Sequence, residues 1–145
     1  MKTVYAVMGT TLLKILFILF SGIISGADIK TGRIPRTAFV LAFPSFFFLM
    51  LLLYEGFDPK GALTGMFTGL AIFGLAYFVS GRKLGLADVW YSALIGMVLG
   101  PWRWYGAICC ACVSGVLIVV LFKKRLIPFI PCMAMGVIAV FLMEA

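Results

Sequence analysis

The sequence predicts an all-α, polytopic membrane protein with about six transmembrane helices, built as a single membrane-embedded domain over residues 1–145. Hydrophobic residues make up 64% of the chain, charged residues only 12%, and the mean hydropathy is +1.19. A water-soluble globule of this length could not bury so much apolar surface, whereas a lipid bilayer accommodates it. The apolar residues also fall into bilayer-length segments separated by short polar loops.

Each of the first three predicted spans is flanked by polar or turn residues. The first contains one charge, Lys14, and is longer than the apolar core of a cleaved signal peptide, so we interpret it as a retained helix. A polar loop over residues 28–36 leads into the second span, which we expect to be kinked at Pro44. The turn at Asp58-Pro59 precedes the third. These spans cover residues 4–26, 37–54 and 62–80.

The last three predicted spans include two shorter ones. The loop over residues 81–87 leads into the fourth span, and a tight turn, Pro101-Trp102-Arg103, separates it from the fifth. A basic cluster, Lys123-Lys124-Arg125, and two prolines precede the sixth. These spans cover residues 88–100 and 104–122 and a shorter segment that ends near residue 143.

The basic residues predict the orientation. Eight of the 12 fall in the first, third and fifth loops, three fall on the opposite side, and Lys14 lies within a span. The positive-inside rule then places the odd-numbered loops in the cytoplasm and both termini on the outer side of the inner (plasma) membrane. Asp28 and Asp88 fall on the cytoplasmic side and the other three acids on the outer side. Because the basic residues serve topology, no basic face remains for nucleic acid, and the lipid bilayer is the expected partner.

Asp28 and Asp88 are the candidate functional residues, since an acid at the mouth of a membrane span is costly to keep. The chain has no His, which excludes His-based triads and His-ligated metal sites, and no serine is obviously placed beside Lys14 for a Ser-Lys pair. Two carboxyl groups in a partly desolvated site can hydrolyse a peptide bond, because one stays protonated while the other accepts a proton from water. This chemistry needs no cofactor or metal. Gly85 suits a backbone that turns or approaches a substrate closely.

Each acid also has a simpler explanation. Asp88 at the start of a helix is, on its own, more often an N-cap than a catalyst. Asp28 could be solvated, or paired with Lys30 or Arg33. The combination favours function, because only five acids occur in the chain and two of them are expected at span ends on one membrane face.

Two motifs resemble those of the type IV prepilin peptidases. Residues 28–35, Asp-Ile-Lys-Thr-Gly-Arg-Ile-Pro, resemble the family's first motif, and residues 85–88, Gly-Leu-Ala-Asp, resemble its second motif, Gly-x-Gly-Asp, which opens the fourth helix. Segments 92–96 and 127–131 also resemble parts of the family. The site residues that the resemblance identifies are Asp28 and Asp88 as the catalytic pair, with Ile34, Pro35, Gly85, Leu86 and Ala87 as supporting motif residues.

The resemblance implies an intramembrane aspartic endopeptidase. It would remove the short basic leader of prepilin-like proteins, such as pilins, pseudopilins or preflagellins, at the cytoplasmic face. Larger members carry an additional N-terminal cytoplasmic domain and N-methylate the new terminus. We expect this chain to be the minimal, peptidase-only form.

Three residues depart from the family pattern. Ala87 stands where the family usually has Gly, Trp90 where it often has Lys, and Arg36 where it often has Asn. If position 87 required a positive φ or a very close approach, the methyl group of Ala would weaken the site.

Other features have structural interpretations, and one functional alternative remains. The cysteines lie in predicted spans, where packing is favoured over redox or metal use. Gly61, Gly65, Gly69 and the Gly96–Gly100 pair have small-xxx-small spacing, which predicts close helix contacts within the bundle, with a homo-oligomer as the alternative. The alternative function is a non-enzymatic scaffold, carrier or assembly factor of the same fold, whose two acids bind an ion or a basic segment.

Overall fold

The computed structural model describes residues 1–31, 34–54, 56–82, 85–123 and 129–144. Within these ranges the chain forms six helices: α1 (Lys2–Thr31), α2 (Arg36–Leu53), α3 (Pro59–Val79), α4 (Leu86–Leu99), α5 (Pro101–Phe122) and α6 (Phe129–Glu144). The same ranges contain no strand, so the predicted all-α class with six helices is confirmed. Four helices, α1, α2, α3 and α5, are long and apolar enough to cross a membrane, whereas α4 and α6 are shorter apolar helices.

Helix α1 continues beyond the predicted end of the first span. The prediction of a polar loop beginning at Asp28 is wrong, because Asp28 to Thr31 form the last turn of α1. No residue of this turn is a helix breaker, and the strong stop signals, Gly32 and Pro35, come later in the sequence. Asp28 is therefore carried by a helix, whose packing fixes its position in the bundle.

The connection between α4 and α5 is a single residue. The sequence predicts a turn over residues 101–103, but α5 already begins at Pro101, and Gly100 alone links the two helices. Gly100 has a φ of 83°, a conformation that favours glycine. Proline is well suited to the first position of a helix, where its missing N–H has no intrahelical partner to lose. The turn was therefore predicted one residue too late in the chain.

Helix α4 is the central helix of the bundle. Every residue from Tyr91 to Met97 is buried, and the helix packs against α2, α3, α5 and α6. A helix that is apolar on all sides is stable in surroundings that cover all of its faces. With 14 residues, α4 is shorter than the roughly 20 residues that cross a bilayer, so the neighbouring helices provide much of its apolar environment.

The crossing of α3 and α4 depends on small residues. A Cβ on Gly65 would overlap the carbonyl oxygen of Gly96, and a Cβ on Gly69 would lie 2.6 Å from the carbonyl oxygen of Ser92. Such residues let two helix backbones approach closely. The predicted packing role within the bundle is thus confirmed for Gly65, Gly69 and Gly96. Gly61 does not take part in this crossing. A Cβ on Gly61 would instead contact the carboxylate of Asp58, in the loop before α3.

Candidate active site

Asp28 and Asp88 lie at the same end of the bundle, which we call the aspartate end. Asp28 is in the last turn of α1 and Asp88 is in the first turn of α4, and both side chains are partly buried. The Asp28 carboxylate acts electrostatically on the carboxyl group of Asp88. The structure therefore brings the two predicted catalytic residues within interaction range of each other.

Asp88 is also held by the start of its own helix. The N-cap of α4 is Gly85, and the Asp88 N–H donates a 3.1 Å hydrogen bond to the Gly85 carbonyl. The Gly85 N–H in turn donates to the Asp88 carboxylate. This is one half of a capping box, in which an acid at the third helical position satisfies the N-cap amide. The interpretation of Asp88 as the N-cap itself is thus wrong by three residues, but its side chain does help to cap α4.

Gly85 is small for a reason that the sequence did not reveal. Its φ of −66° is open to any residue, so no glycine-specific conformation is required there. However, a Cβ at this position would lie only 3.1 Å from an Asp88 carboxylate oxygen. Glycine therefore leaves room for the carboxylate where it folds back on the helix start.

Ala87 does not occupy a glycine-specific conformation either. It lies in the first turn of α4 with a helical backbone, and its φ is not among the positive values of the described residues. Its side chain is half-buried and packs against the core. The alanine at this position, where the resembled family usually has glycine, therefore introduces no backbone strain.

The other predicted motif residues form the rim of the aspartate end. Pro35 is the N-cap of α2, with an extended backbone, and Ile34 before it is half-buried against the core. Leu86 opens α4 and is 38% exposed. Two further motif positions, Gly32 and Arg33, lie outside the described residues. Ile34 and Pro35 thus position the start of α2, and Leu86 presents an apolar side chain at the rim.

Two apolar cavities flank the start of α4. One, of about 200 Å³, lies between α2 and α4, and another, of about 470 Å³, lies between α3 and α4. Trp90 and Leu86 line both of them. Arg36 lines the smaller cavity, so the two residues Arg36 and Trp90, which depart from the family pattern, are neighbours in space. Phe43 packs edge-on against Trp90, with ring centroids 6.2 Å apart.

Sequence reasoning missed a set of polar residues that lie farther from the aspartate end than the two acids. The Tyr91 hydroxyl donates a 2.6 Å hydrogen bond to Ser21, and both side chains are buried. Ser25, between Ser21 and Asp28 along α1, has a buried hydroxyl with no hydrogen-bond partner among the described residues. A signal was present in the sequence, because Ser21, Ser25 and Asp28 follow the i, i+4, i+7 spacing of one helix face.

A second group of charged residues lies at the opposite end of the bundle. Lys14 and Arg103 both pair with Glu144, at 3.1 and 2.8 Å. Lys14 and Arg103 also line a cavity of about 300 Å³ that includes Asp58. Lys14, which the sequence analysis considered for a Ser-Lys pair, therefore joins α1 to α6 away from the two acids.

The chemistry available at the aspartate end is acid–base chemistry by carboxyl groups. The four cysteines lie on α5 and α6, and none of them is in a disulfide within the described part of the chain. Within the described part of the chain, no group of three or more His, Cys, Asp or Glu side chains could hold a metal ion. Two carboxyl groups that interact electrostatically can share one proton, which provides an acid and a base in the same site.

Comparison with known proteins gives one assignment. The model of the type IV leader peptidase family matches residues 15–120, a range that covers well over half of the chain and includes both Asp28 and Asp88. Searches of curated proteins and of solved structures each found no significant match. The match extends over just over half of α1 and the whole of α2 to α4, and almost to the end of α5. The chain is therefore a polytopic membrane protein that belongs to the type IV leader peptidase family.

Proposed function

We propose that this protein is an intramembrane aspartic endopeptidase that cleaves the short basic leader from prepilin-like proteins. Membership of the leader peptidase family supports the general reaction. The observation that carries the aspartic mechanism is the location of Asp28 and Asp88 at the same end of the bundle, in the last turn of α1 and the first turn of α4. In a chain with only five acids, this meeting of two carboxyl groups at one bundle end is the strongest indication of a site.

The proposed mechanism uses one shared proton. The ionised carboxylate removes a proton from water while the water oxygen bonds to the scissile carbonyl carbon. The protonated carboxyl group gives its proton to the carbonyl oxygen, which forms a tetrahedral diol. The C–N bond then breaks as the amide nitrogen receives a proton from the carboxyl group that had taken one from water. At the same time a diol hydroxyl returns its proton to the other carboxylate, so the new carboxyl terminus forms and the pair again holds one proton. Because the two groups titrate as a pair, neither acid is assigned a fixed role at the start.

The proposed site of action is the cytoplasmic face of the inner membrane. The sequence carries eight of its 12 basic residues in the loops that follow α1, α3 and α5 or at the ends of these loops, against three on the opposite side. This bias supports a cytoplasmic position for Asp28 and Asp88 by the positive-inside rule. A leader that is cut at this face would be reached before the mature protein leaves the membrane.

A non-enzymatic scaffold of the same fold is the competing function, and one assay separates the two. The full chain is co-expressed with a prepilin-like protein, and the size of that protein is followed by gel mobility and its new N-terminus by mass spectrometry. A peptidase shortens it by the length of the basic leader. An unchanged size with every prepilin-like protein tested, while the membrane protein is present and inserted, would support the scaffold.

A further inference from the structure

The helices that carry the two acids are joined by one buried hydrogen bond. The Tyr91 hydroxyl donates to the Ser21 hydroxyl oxygen at 2.6 Å, and Tyr91 and Ser21 are 0% and 2% exposed. Tyr91 lies one helical turn from Asp88, and Ser21 lies two turns from Asp28. Residues with these spacings share a helix face, so each member of the bond stands on the face of its own helix that carries the acid.

This bond spans a gap that the helix backbones leave open. Over the described residues, the Cα atoms of α1 and α4 stay more than 8 Å apart. In these residues, no other side-chain hydrogen bond or ion pair joins α1 to α4. Apolar contacts are non-directional, whereas a hydrogen bond restricts both distance and angle. The Tyr91–Ser21 bond is therefore the directional element in the spacing of α1 and α4.

We propose that Tyr91 and Ser21 are positioning residues that set the separation and orientation of Asp28 and Asp88. This proposal rests on the proposed two-aspartate peptidase function. Catalysis by paired carboxyl groups requires both to reach the same water and carbonyl. A misplacement of about 1 Å can cost on the order of 100-fold in rate. The burial of the bond suits this role, because a buried hydroxyl that loses its partner is costly and the bond stays formed.

The first test is the steady-state kinetics of leader cleavage by the full chain. Tyr91→Phe and Ser21→Ala should each lower kcat by about tenfold, with KM changed less than about twofold, since the acids are displaced while the substrate surface is kept. The double variant should be no slower than the slower single variant, because both changes remove the same bond. Additive losses, or a change confined to KM, would overturn the proposal.

Two matched controls separate positioning from general loosening. Ser25→Ala makes the same substitution on the same face of α1, but it removes a hydroxyl that has no partner in the described chain. Ser92→Ala removes one of two acceptors for the Trp104 indole N–H, at 3.0 Å, and so weakens a buried bond between α4 and α5. Both variants should keep kcat within about twofold of the parent protein. A loss in Ser92→Ala equal to that in Ser21→Ala would contradict a specific role.

A distance measurement tests the same proposal without any substrate. Spin labels are attached at Ile29→Cys and Leu86→Cys, two exposed positions on α1 and α4, after the four native cysteines are replaced by Ala. Tyr91→Phe should shift or broaden the distance distribution, and Ser92→Ala should not. An unchanged distribution in Tyr91→Phe overturns the positioning role. If the parent protein cleaves no leader but the distribution shifts, the proposed function fails while the spacing role of the bond is upheld.

Discussion

Gly65 and Gly96 meet backbone to backbone where α3 crosses α4, and a Cβ on either one would overlap the carbonyl oxygen of the other. Gly65→Ala should therefore force the helices apart and destabilise the bundle, by about 1–3 kcal/mol, the range typical of overpacking. Gly74, on the same helix, has no atom within 4 Å of the place that an added methyl group would take, and it provides the matched control. Gly74→Ala should be neutral or slightly stabilising, by up to ~1 kcal/mol, because Ala is the better helix former.

The measurement is reversible unfolding of both variants in the same detergent, beside the parent protein. We expect a lower midpoint for Gly65→Ala only. Equal midpoints for Gly65→Ala and Gly74→Ala would mean that the close α3–α4 crossing is not formed in solution.

Removal of the Glu144 charge should weaken the end of the bundle opposite to the acids. Glu144→Gln leaves Lys14 and Arg103 without their shared carboxylate, whose side chain is only 21% exposed. Since both cations are partly solvated, the expected loss of stability is about 1 kcal/mol and should shrink as salt is added. Lys60→Gln, a charge change at the same end, is the control and should have no effect. A large loss of leader cleavage at unchanged stability would contradict the separation of the two ends.

The start of α4 should tolerate one small-residue change and not the other. Ala87→Gly should leave cleavage within about twofold, because position 87 has an ordinary helical backbone, at a cost of up to ~1 kcal/mol in stability. Gly85→Ala places a methyl group 3.1 Å from the Asp88 carboxylate and should reduce cleavage through a lower kcat. Initial rates of cleavage for the two variants check this contrast. The reverse order of activities would show that Ala87, rather than Gly85, is the sterically critical residue.

The orientation can be tested with reporter fusions. With six helices and the aspartate end in the cytoplasm, alkaline phosphatase fused after Glu144 should be active, and a fluorescent reporter that folds only in the cytoplasm should be dark at that position. Fusion after Lys123, at the end of α5, should give the opposite pair of results. A fluorescent fusion after Glu144 would place the two acids on the outer side and contradict the proposed site of action.

The span pattern was predictable because it depends on composition, whereas details that depend on packing were not. The acids Asp28 and Asp88 could be selected from the sequence, since few acids occur and both fall at apolar segment ends. The continuation of α1 through Asp28 was missed because the polar residues were taken to mark the end of the helix. They mark only the place where the helix leaves the apolar layer of the membrane. The Tyr91–Ser21 bond was missed because it joins residues 70 positions apart, and no local pattern specifies such a contact.

The most direct measurement of the central claim is leader cleavage by Asp28→Asn and Asp88→Asn. Each substitution keeps the size of the side chain and removes the carboxyl group, so each should lower cleavage by at least about 1,000-fold, while the protein still inserts into the membrane. Asp58→Asn, which keeps a good N-cap for α3 at the opposite end, is the matched control and should cleave normally. Cleavage at the parent rate by either Asp28→Asn or Asp88→Asn would contradict the two-aspartate mechanism.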